Sequence, residues 1–492
     1  MNRNEEKASP RIGKFILDTI SIGMYNNPLM ALREYIQNST DAIDRHSDSG
    51  CECIISPRID VIVDGVLRTL TIKDTGVGLS ALRAKTVLHD LGKSNKKTFA
   101  NRGFRGIGRL GGLGYCDELR FITKAAGETV CSESVWDCKK LRELLVSESE
   151  DMDAAALIAN IVTFSQHRYE KSKKDHFFTV EMVNVKSSKD VLLDVPIIKV
   201  YLSQIAPVPF DSKTFSFSEQ IESELRSKVP GYKTYPIYVN DEQVFKPYKD
   251  SVKISQEHSD QIKGIQFKEF KNGVGNLAFG WIADLNLLGA INPSEKTEGI
   301  RVRSGNIMVG DKNILSDFFR EARFNNYVVG EIHITHPRLV LNSRRDDFED
   351  NCYKEEFYNN FVKEIGLPCS QKIRQTSKDR SDSKREKIIK QITSEGIDIV
   401  KSGYLSEIQY RNVLKELQQA SMGLSEELEK QKLEELIGQI KKSRHYLDNL
   451  AAIKLTKNEL KKVFDTIYKN IDDSSRALKI IRHSLAEILV EK

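Results

Sequence analysis

The apolar residues in the N-terminal part of the chain are spaced first as in a helix and then as in strands. Leucine and isoleucine recur at intervals of three, four and seven from residue 29 to residue 43, which predicts an amphipathic helix packed on a sheet. The segments RIDVIVDG and LRTLTIKD then alternate apolar with polar residues on either side of an Asp-Gly turn. ELRFITKA and HFFTVEMVNV repeat this strand pattern further along. We therefore expect residues 1–194 to form an open α/β sandwich.

The rest of the chain changes pattern twice. Residues 195–368 contain short strand-like segments around one helix-like segment, which predicts a second α+β domain. Residues 369–390 are rich in Lys and Arg and poor in apolar residues, which indicates a solvated linker running into a helix. From 391 to 492 apolar residues recur at helical spacing, which predicts a helical bundle or coiled coil for interaction or dimerisation. Capping-box patterns predict helix starts at Ser383, Ser406 and Thr456, and Gly403 and Gly423 are expected to separate helices.

The composition narrows the class of protein. With 39% hydrophobic and 29% charged residues, the chain can bury sizeable cores and is not mostly disordered. It contains no apolar run of about 18 residues, and its first residues do not resemble a secretory signal, so we expect a cytoplasmic protein without a membrane span. Seven cysteines without repeated CxxC pairs indicate reduced thiols, and nine dispersed histidines indicate structural or surface roles. The net charge of +5 does not by itself demand a nucleic-acid partner.

The first candidate motif lies on the predicted helix. Glu34, Asn38 and Asp41 follow one another at i, i+4 and i+7, so their side chains share one face. A carboxylate and a carboxamide aligned in this way are suited to polarising a water and to occupying one position on Mg²⁺. An ordinary exposed polar face would look the same, so the motif gains weight only from its neighbours.

The second candidate motif follows the second strand. Asp74 stands at the strand end, and Gly76 and Gly78 allow the chain to turn sharply behind it. This arrangement frees the carboxylate to point into a cleft, where it can accept a hydrogen bond from an exocyclic amine such as that of adenine. An ordinary strand-to-loop turn is the simpler interpretation of these three residues alone.

The third candidate motif is a basic loop rich in glycine, GKSNKKTFANRGFRGIGRLGGLG, from Gly92 to Gly114. It carries six basic residues and no acid, and its glycines let backbone N–H groups crowd around an anion, which favours phosphate binding. The GKS tripeptide at 92–94 is not a P-loop, because Val87 stands where the first glycine is required. The GxGxxG at 106–111 follows a polar loop rather than a strand, which argues against a dinucleotide fold.

In this order and within about 80 residues, the three motifs resemble the GHKL (Bergerat-fold) ATPases, the group named for gyrase, ninety-kilodalton heat-shock chaperones, histidine kinases and MutL. The resemblance covers about residues 12–190 and includes Thr179 in a later strand. It implies that Glu34 is the general base, that Asn38 ligates Mg²⁺, and that Asp74 binds the adenine amine with support from Thr179. It further implies that ATP contacts the helix, the turn and a closing lid through Asn38, Asp41, Asp74, Gly76, Gly78, Lys93, Gly103, Gly106, Ile107, Gly108 and Arg109.

A second resemblance lies in the middle segment. HPRLVLNSRRD looks like the stretch of the heat-shock chaperones in which an arginine reaches the γ-phosphate, although a spacer residue is missing here. The choice between Arg344 and Arg345 therefore stays open, a surface ion-pair cluster with the following acids is the simpler alternative, and Lys296 is a rival because gyrase and MutL relatives use a lysine. The lid also departs from the chaperone pattern, since it carries arginine where an aromatic residue is usual.

Together these features predict a Mg²⁺-dependent, ATP-hydrolysing conformational switch similar to heat-shock chaperones of a stand-alone prokaryotic type. A homodimer is expected, and the client or partner protein is unknown. The alternative is a DNA-acting GHKL ATPase, similar to MORC, MutL or topoisomerase proteins and acting in genome or anti-phage defence. Only the basic lid and the basic linker favour nucleic acid. A nucleotide-gated scaffold with negligible hydrolysis is a third hypothesis, and the absence of histidine before the first motif argues against a histidine kinase.

Overall fold

The computed structural model describes residues 12–19, 27–48, 56–90, 108–147, 152–273, 275–342, 344–404, 407–424 and 427–442. The chain divides into two compact units, residues 1–374 and residues 375–492. Among the described residues the first unit combines an eight-stranded, a five-stranded and a two-stranded sheet with helices, and the described part of the second unit is helical, which confirms the predicted α+β class.

The first unit begins with a mixed sheet covered by helices. Its described helices and strands, in chain order, are α1 (Phe15–Asp18), α2 (Leu29–Asp48), β1 (Ile59–Asp64), β2 (Thr69–Asp74), α3 (Ala81–His89), β3 (Glu118–Lys124), β4 (Val130–Asp137), α4 (Cys138–Val146), α5 (Ala154–Ile161), β5 (Val162–Arg168), β6 (Phe177–Val183), α6 (Val195–Ile205), α7 (Ser218–Lys228), β7 (Ile237–Val239) and β8 (Glu242–Gln243). Among the described residues the sheet has eight strands in the order β5-β4-β3-β6-β2-β1-β7-β8. Neighbouring strands run antiparallel except β1 and β7.

One core joins this sheet to its helices. The apolar stripe that the sequence predicted on α2 is buried, with Leu32 at 1% exposure and Ile36 at 0%. It shares its core with the inward residues of β1, β2, β3 and β6 and with residues of α6 and β7. The sheet and its core therefore continue past residue 194, where we expected the first domain to end. Asp194 caps α6, since its side chain accepts a hydrogen bond from the Ile197 N–H over 2.9 Å.

The second sheet lies in the middle of the chain. The described helices and strands of this region are β9 (Ser251–Lys253), β10 (Ser259–Gln261), β11 (Gly264–Lys271), β12 (Asn276–Asp284), β13 (Gly299–Ser304), β14 (Ile307–Val309), β15 (Val329–Ile334) and α8 (Cys352–Phe361). Among the described residues β9 pairs with β10, and five strands form a sheet in the order β11-β12-β15-β13-β14. β13 runs parallel to β15, and the remaining pairs are antiparallel. Aromatic residues fill this second core, in which Trp281 is fully buried.

A long helix replaces the expected linker. α9 runs without interruption from Leu367 to Ser402, so residues 369–390 are helical and the predicted start at Ser383 lies inside a helix. Lys, Arg, Gln and Glu are good helix formers even when few apolar residues are available for packing. Pairs such as Lys390 with Glu386, whose Nζ and Oε1 atoms are 2.6 Å apart, add a little stability on the exposed surface. The low hydrophobicity indicated exposure correctly but did not indicate irregular structure.

The described end of the chain is a small helical assembly. α10 (Glu407–Met422) and α11 (Glu427–Lys442) share a core with the later part of α9 that includes Ile399, Leu417 and Ile440. Gly403 ends α9 with a φ of +85°, and Gly423 follows α10, as the sequence predicted. The expected start at Ser406 immediately precedes α10, but Ser406 and Thr456 lie outside the described residues. Within the described ranges no helix is both long enough and apolar enough to cross a membrane.

Candidate functional site

The first motif lies on the inner part of α2. Glu34 is 6% exposed and Asp41 is 4% exposed, while Asn38 between them is half-buried. Their helical spacing therefore brings two carboxylates and one carboxamide to a mostly covered face rather than to an open polar surface. The alternative of a solvated helix face, which the sequence left open, does not apply to this helix.

The described end of the basic loop packs against α2. Residues 108–112 form a short 3-10 helix, and the Tyr35 hydroxyl donates to the Arg109 carbonyl oxygen over 3.1 Å. The Gly112 N–H donates in turn to the Tyr35 oxygen over 2.8 Å. A Cβ added at Gly108 would lie 2.1 Å from Glu34 Oε2. Glycine at this position therefore lets the loop backbone approach the Glu34 carboxylate without displacing it.

Arg109 points inward from this loop. Its guanidinium donates to the Asp90 carbonyl oxygen, and burial lowers the pKa of Arg109 to about 10. Its Nε atom is buried without a hydrogen-bond partner. A half-buried cation beside the glycine-rich loop fits an anionic ligand, because an anion would compensate for the lost hydration. The remaining predicted loop contacts, Lys93, Gly103, Gly106 and Ile107, lie outside the described residues.

The second motif forms a tight turn against α2. The Asp74 side chain is 2% exposed at the end of β2, and its Oδ1 accepts a hydrogen bond from the Gly76 N–H over 2.8 Å. A Cβ at Gly76 would lie 2.5 Å from the Ala42 Cβ on α2. Gly78 has a φ of +64°, and a Cβ there would lie 2.0 Å from the Lys124 carbonyl oxygen. Both glycines are therefore required by the geometry, as the sequence predicted.

Burial changes the protonation of Asp74. Desolvation raises the pKa of its carboxyl group to about 7, and hydrogen bonds from Ser39 and from the Gly76 N–H only partly oppose this rise. Perturbed carboxyl groups of this kind are common in binding and catalytic sites. Asp74 is thus a buried acceptor that has few compensating charges around it.

The strand register does not bring Thr179 to Asp74. β6 pairs with β2 so that Thr179 lies opposite Lys73, and Phe178 lies opposite Asp74. Directly opposed residues share a face of the sheet and neighbours along a strand alternate, so Thr179 is on the other face. The predicted support of Asp74 by Thr179 is therefore not compatible with this register. His176, just before β6, is a polar residue close to this turn, and its Nδ1 lies 2.7 Å from the Gly76 carbonyl oxygen.

Arg345 reaches the first motif from the middle of the chain. Its Nη1 atom lies 2.6 Å from Glu34 Oε1, and it also donates to Gln37 Oε1. Arg344 is exposed, so the two candidates that the sequence left open differ clearly in position. The rival Lys296 is also exposed, at the end of a short 3-10 helix.

The backbone of Arg345 is held in an unusual conformation. Its φ is +57°, a left-handed value that is uncommon for residues other than glycine. The Arg345 carbonyl oxygen accepts hydrogen bonds from the Gly310 N–H over 2.9 Å and from Arg33 Nη2 over 3.4 Å. Arg33 also donates to the Met308 carbonyl oxygen over 2.7 Å. α2 therefore contacts the second sheet through two neighbouring residues, Arg33 and Glu34.

The side-chain oxygens on α2 suit a metal ion that is held mainly by the oxygens of a bound phosphate compound. Among the described residues no group of three His, Cys, Asp or Glu side chains is arranged to hold a metal. Mg²⁺ in nucleotide sites usually takes one or two protein oxygens and completes its shell with phosphates and waters. The half-buried carboxamide of Asn38, beside Glu34 on α2, fits this type of site better than an all-protein cage.

The first part of the chain is similar to known ATPases. Residues 25–173 match the family of histidine kinase-, DNA gyrase B- and HSP90-like ATPases. The chaperone protein HtpG of Treponema denticola is 30% identical over 131 residues, which is 23% of this chain and 20% of the chaperone. HtpG of Sulfurimonas denitrificans is 34% identical over 90 residues, 17% of this chain and 14% of the chaperone. The chain thus matches about a fifth or less of the length of these relatives.

Proposed function

We propose that the N-terminal part of this chain, which matches the family of histidine kinase-, DNA gyrase B- and HSP90-like ATPases and is similar to part of HtpG, binds and hydrolyses ATP to drive a conformational switch. The observation that carries this proposal is the meeting of Glu34 and Arg345 at the inner face of α2. A buried carboxylate next to an arginine supplied by a distant part of the chain suits phosphoryl transfer to water, in which charge must be neutralised on the transferring group.

Asp74 is the proposed acceptor for the exocyclic amine of adenine. Its carboxylate is buried at the strand end, in the tight turn that Gly76 and Gly78 allow. A hydrogen bond from the amine would compensate for some of the desolvation that raises the pKa of this carboxyl group. A 6-oxo base would instead present a second acceptor to Asp74 and should bind more weakly.

Glu34 is the proposed general base. Its two oxygens have different surroundings, because Oε1 pairs with Arg345 and Oε2 faces the Gly108 backbone. A carboxylate on this buried face can orient a water and take its proton, and a positioned base of this kind contributes roughly 10²–10⁴-fold. Bound Mg²⁺ would neutralise phosphate charge, with Asn38 as its protein ligand. Arg345 would move part of its charge from Glu34 to the γ-phosphoryl group during transfer.

The proposed switch depends on contacts between α2 and the second sheet. Arg33 and Arg345 tie the two regions together at the catalytic face, so a ligand that competes for Arg345 also acts on this contact. Nucleotide binding would therefore change how the two parts of the unit dock, and hydrolysis would reverse the change. We propose a chaperone-like role, with the helical end of the chain providing a homodimer contact or a partner-binding surface.

Steady-state ATP turnover of the full chain tests this proposal. We expect Mg²⁺-dependent release of phosphate that is lost in Glu34→Ala, and no turnover in the wild type would contradict hydrolysis. A wild type that binds ATP without turnover would favour the nucleotide-gated scaffold instead.

A DNA-acting ATPase is the second candidate. Most Lys and Arg side chains of α9 between residues 371 and 390 are exposed, although Lys372, Arg374 and Lys390 pair with carboxylates, and the exposed basic residues could contact phosphates. DNA-stimulated turnover that falls steeply with salt would favour this role. Turnover that ignores DNA but responds to an unfolded protein would favour the chaperone-like role.

A further inference from the structure

A short hydrogen-bonded chain ends on the Asp74 carboxylate. The His176 Nδ1 atom lies 2.7 Å from the Gly76 carbonyl oxygen, and the Gly76 N–H donates to Asp74 Oδ1 over 2.8 Å. His176 and Asp74 are each 2% exposed. A carbonyl oxygen only accepts, so this contact places a proton on Nδ1 of His176.

We propose that His176 is a positioning residue of the base pocket. It holds the Gly76 peptide, and Gly76 in turn orients the Asp74 carboxylate toward the base. This inference rests on the proposed function, because it assumes that Asp74 recognises an exocyclic amine. It assigns a specificity role to a histidine that the sequence alone indicated as structural.

The strand pattern puts His176 on the correct side of the sheet. β6 begins at Phe177, and Phe178 is paired directly with Asp74. Side chains alternate along an extended chain, so a residue two positions before Phe178 extends toward the same face as Asp74. His176 therefore supports Asp74 from the position at which the threonine had been expected.

Packing fixes the imidazole in place. The His176 and His46 ring centroids are 4.2 Å apart with an interplanar angle of 31°, which ties His176 to α2. Its Nε2 atom is buried and has no hydrogen-bond partner. A buried nitrogen without a partner lowers stability. What an imidazole adds over a phenyl ring at this place is therefore the Nδ1 bond to Gly76.

Gly76 is a residue that needs such a constraint. It has no side chain, and its backbone lies directly against Ala42, where a Cβ would be only 2.5 Å from the Ala42 Cβ. Glycine has a wide range of backbone conformations, so the orientation of its two peptide groups depends on the hydrogen bonds that they make. Loss of the His176 bond would let the Gly76 N–H rotate away from Asp74 Oδ1 and leave the carboxylate less well oriented.

The test compares two nucleotides that differ only at the 6-amino group, ATP and purine riboside triphosphate, by calorimetric titration of the full chain. His176→Phe keeps a ring but removes the donor, so it should weaken ATP binding about 5- to 10-fold, the order of one hydrogen bond, and change binding of the analogue less than about twofold. His176→Asn keeps a donor near the Nδ1 position and should recover most of the preference for ATP. His176→Leu carries no donor and replaces the Phe variant if the latter does not fold.

The outcomes separate the inference from the proposed function. Equal weakening of both nucleotides in His176→Phe, or an Asn variant that discriminates no better than the Phe variant, would overturn the positioning role. In an Asp74→Asn background, His176→Phe should cause no further loss of discrimination, and a fully additive loss would show that His176 does not act through Asp74. A wild type that binds neither nucleotide, or does not distinguish them, would overturn the proposed function and this inference with it.

Discussion

Arg345 Nη1 lies 2.6 Å from Glu34 Oε1, although the two residues come from opposite ends of the first unit's sequence. The contact joins the helix that carries the proposed general base to the loop after the second sheet. Arg33 strengthens the same junction, because its guanidinium donates to the carbonyl oxygens of Met308 and Arg345. The catalytic proposal and the docking proposal therefore depend on the same few side chains.

Replacement of Arg345 tests this junction. Arg345→Ala should lower ATP turnover roughly 10²-fold, because a positioned donor to the transition state is lost, while ATP affinity changes much less. Arg345→Lys should recover only part of the loss, since lysine keeps the charge without the planar fork. Arg344→Ala is the matched control, because Arg344 is exposed, and its turnover should stay near that of the wild type. Equal effects of the two alanine variants would remove Arg345 from the mechanism.

A side chain at position 108 should disturb the Glu34 carboxylate. A Cβ at this position would meet Glu34 Oε2 at 2.1 Å, so Gly108→Ala must displace either the carboxylate or the loop. We expect turnover to fall by roughly 10- to 100-fold, in line with misplacement of a catalytic group by about 1 Å. Gly65→Ala is the control, because no atom lies within 4 Å of a Cβ at Gly65. Normal turnover in Gly108→Ala would mean that the loop does not approach Glu34 in the working enzyme.

Asp74 should destabilise the ligand-free protein at high pH. Burial raises the pKa of its carboxyl group from 3.8 to about 7, so the folded protein holds a proton that the unfolded chain releases. The contribution of this group to the free energy of unfolding is therefore complete below about pH 4 and is lost as the pH rises through about 7. Asp74→Asn removes the ionisation, and its melting temperature without ligand should exceed that of the wild type at pH 8 and approach it at pH 5. The same variant should bind ATP poorly.

Asp117 is the control, because its pKa is shifted in the direction opposite to that of Asp74. Hydrogen bonds and ion pairs with Lys186 and Arg142 outweigh burial and lower the pKa of its carboxyl group. Its contribution to stability is present at neutral pH and is lost as the pH falls through the folded pKa. Asp117→Asn should therefore lower the melting temperature at pH 8. A gain in stability from both variants, or from neither, would contradict the environments described for these carboxyl groups.

Local sequence was enough to predict the elements that carry the candidate site. The spacing of apolar residues predicted α2, and the order of acid, turn and glycine-rich loop predicted which residues would approach it. The two glycines after Asp74 could be predicted because a tight turn at a strand end leaves few other options. These features depend on residues that are close together in the sequence, so the local pattern of residues predicts them.

Features that depend on register or on distant contacts could not be predicted. The pairing of Lys73 with Thr179 shifts the threonine to the other face of the sheet, and no local pattern indicates a register of this kind. The selection of Arg345 over Arg344 follows from a left-handed backbone at Arg345 and from the Gly310 contact. His176, Arg33 and Gln37 were missed for the same reason, although Arg33 and Gln37 stand beside Glu34 on the same helix. The first part of α9 was not predicted as a helix, because its residues favour helix formation but lack apolar residues at helical spacing.

The role of Glu34 as general base is tested most directly by measuring ATP affinity and ATP turnover in the same preparation of Glu34→Gln. This substitution keeps the size of the side chain and the contacts of its remaining oxygen, but it removes the base. We expect Glu34→Gln to bind ATP with an affinity close to that of the wild type and to turn it over roughly 10²–10⁴-fold more slowly. Wild-type turnover in Glu34→Gln would contradict the assignment of Glu34 and the mechanism built on it.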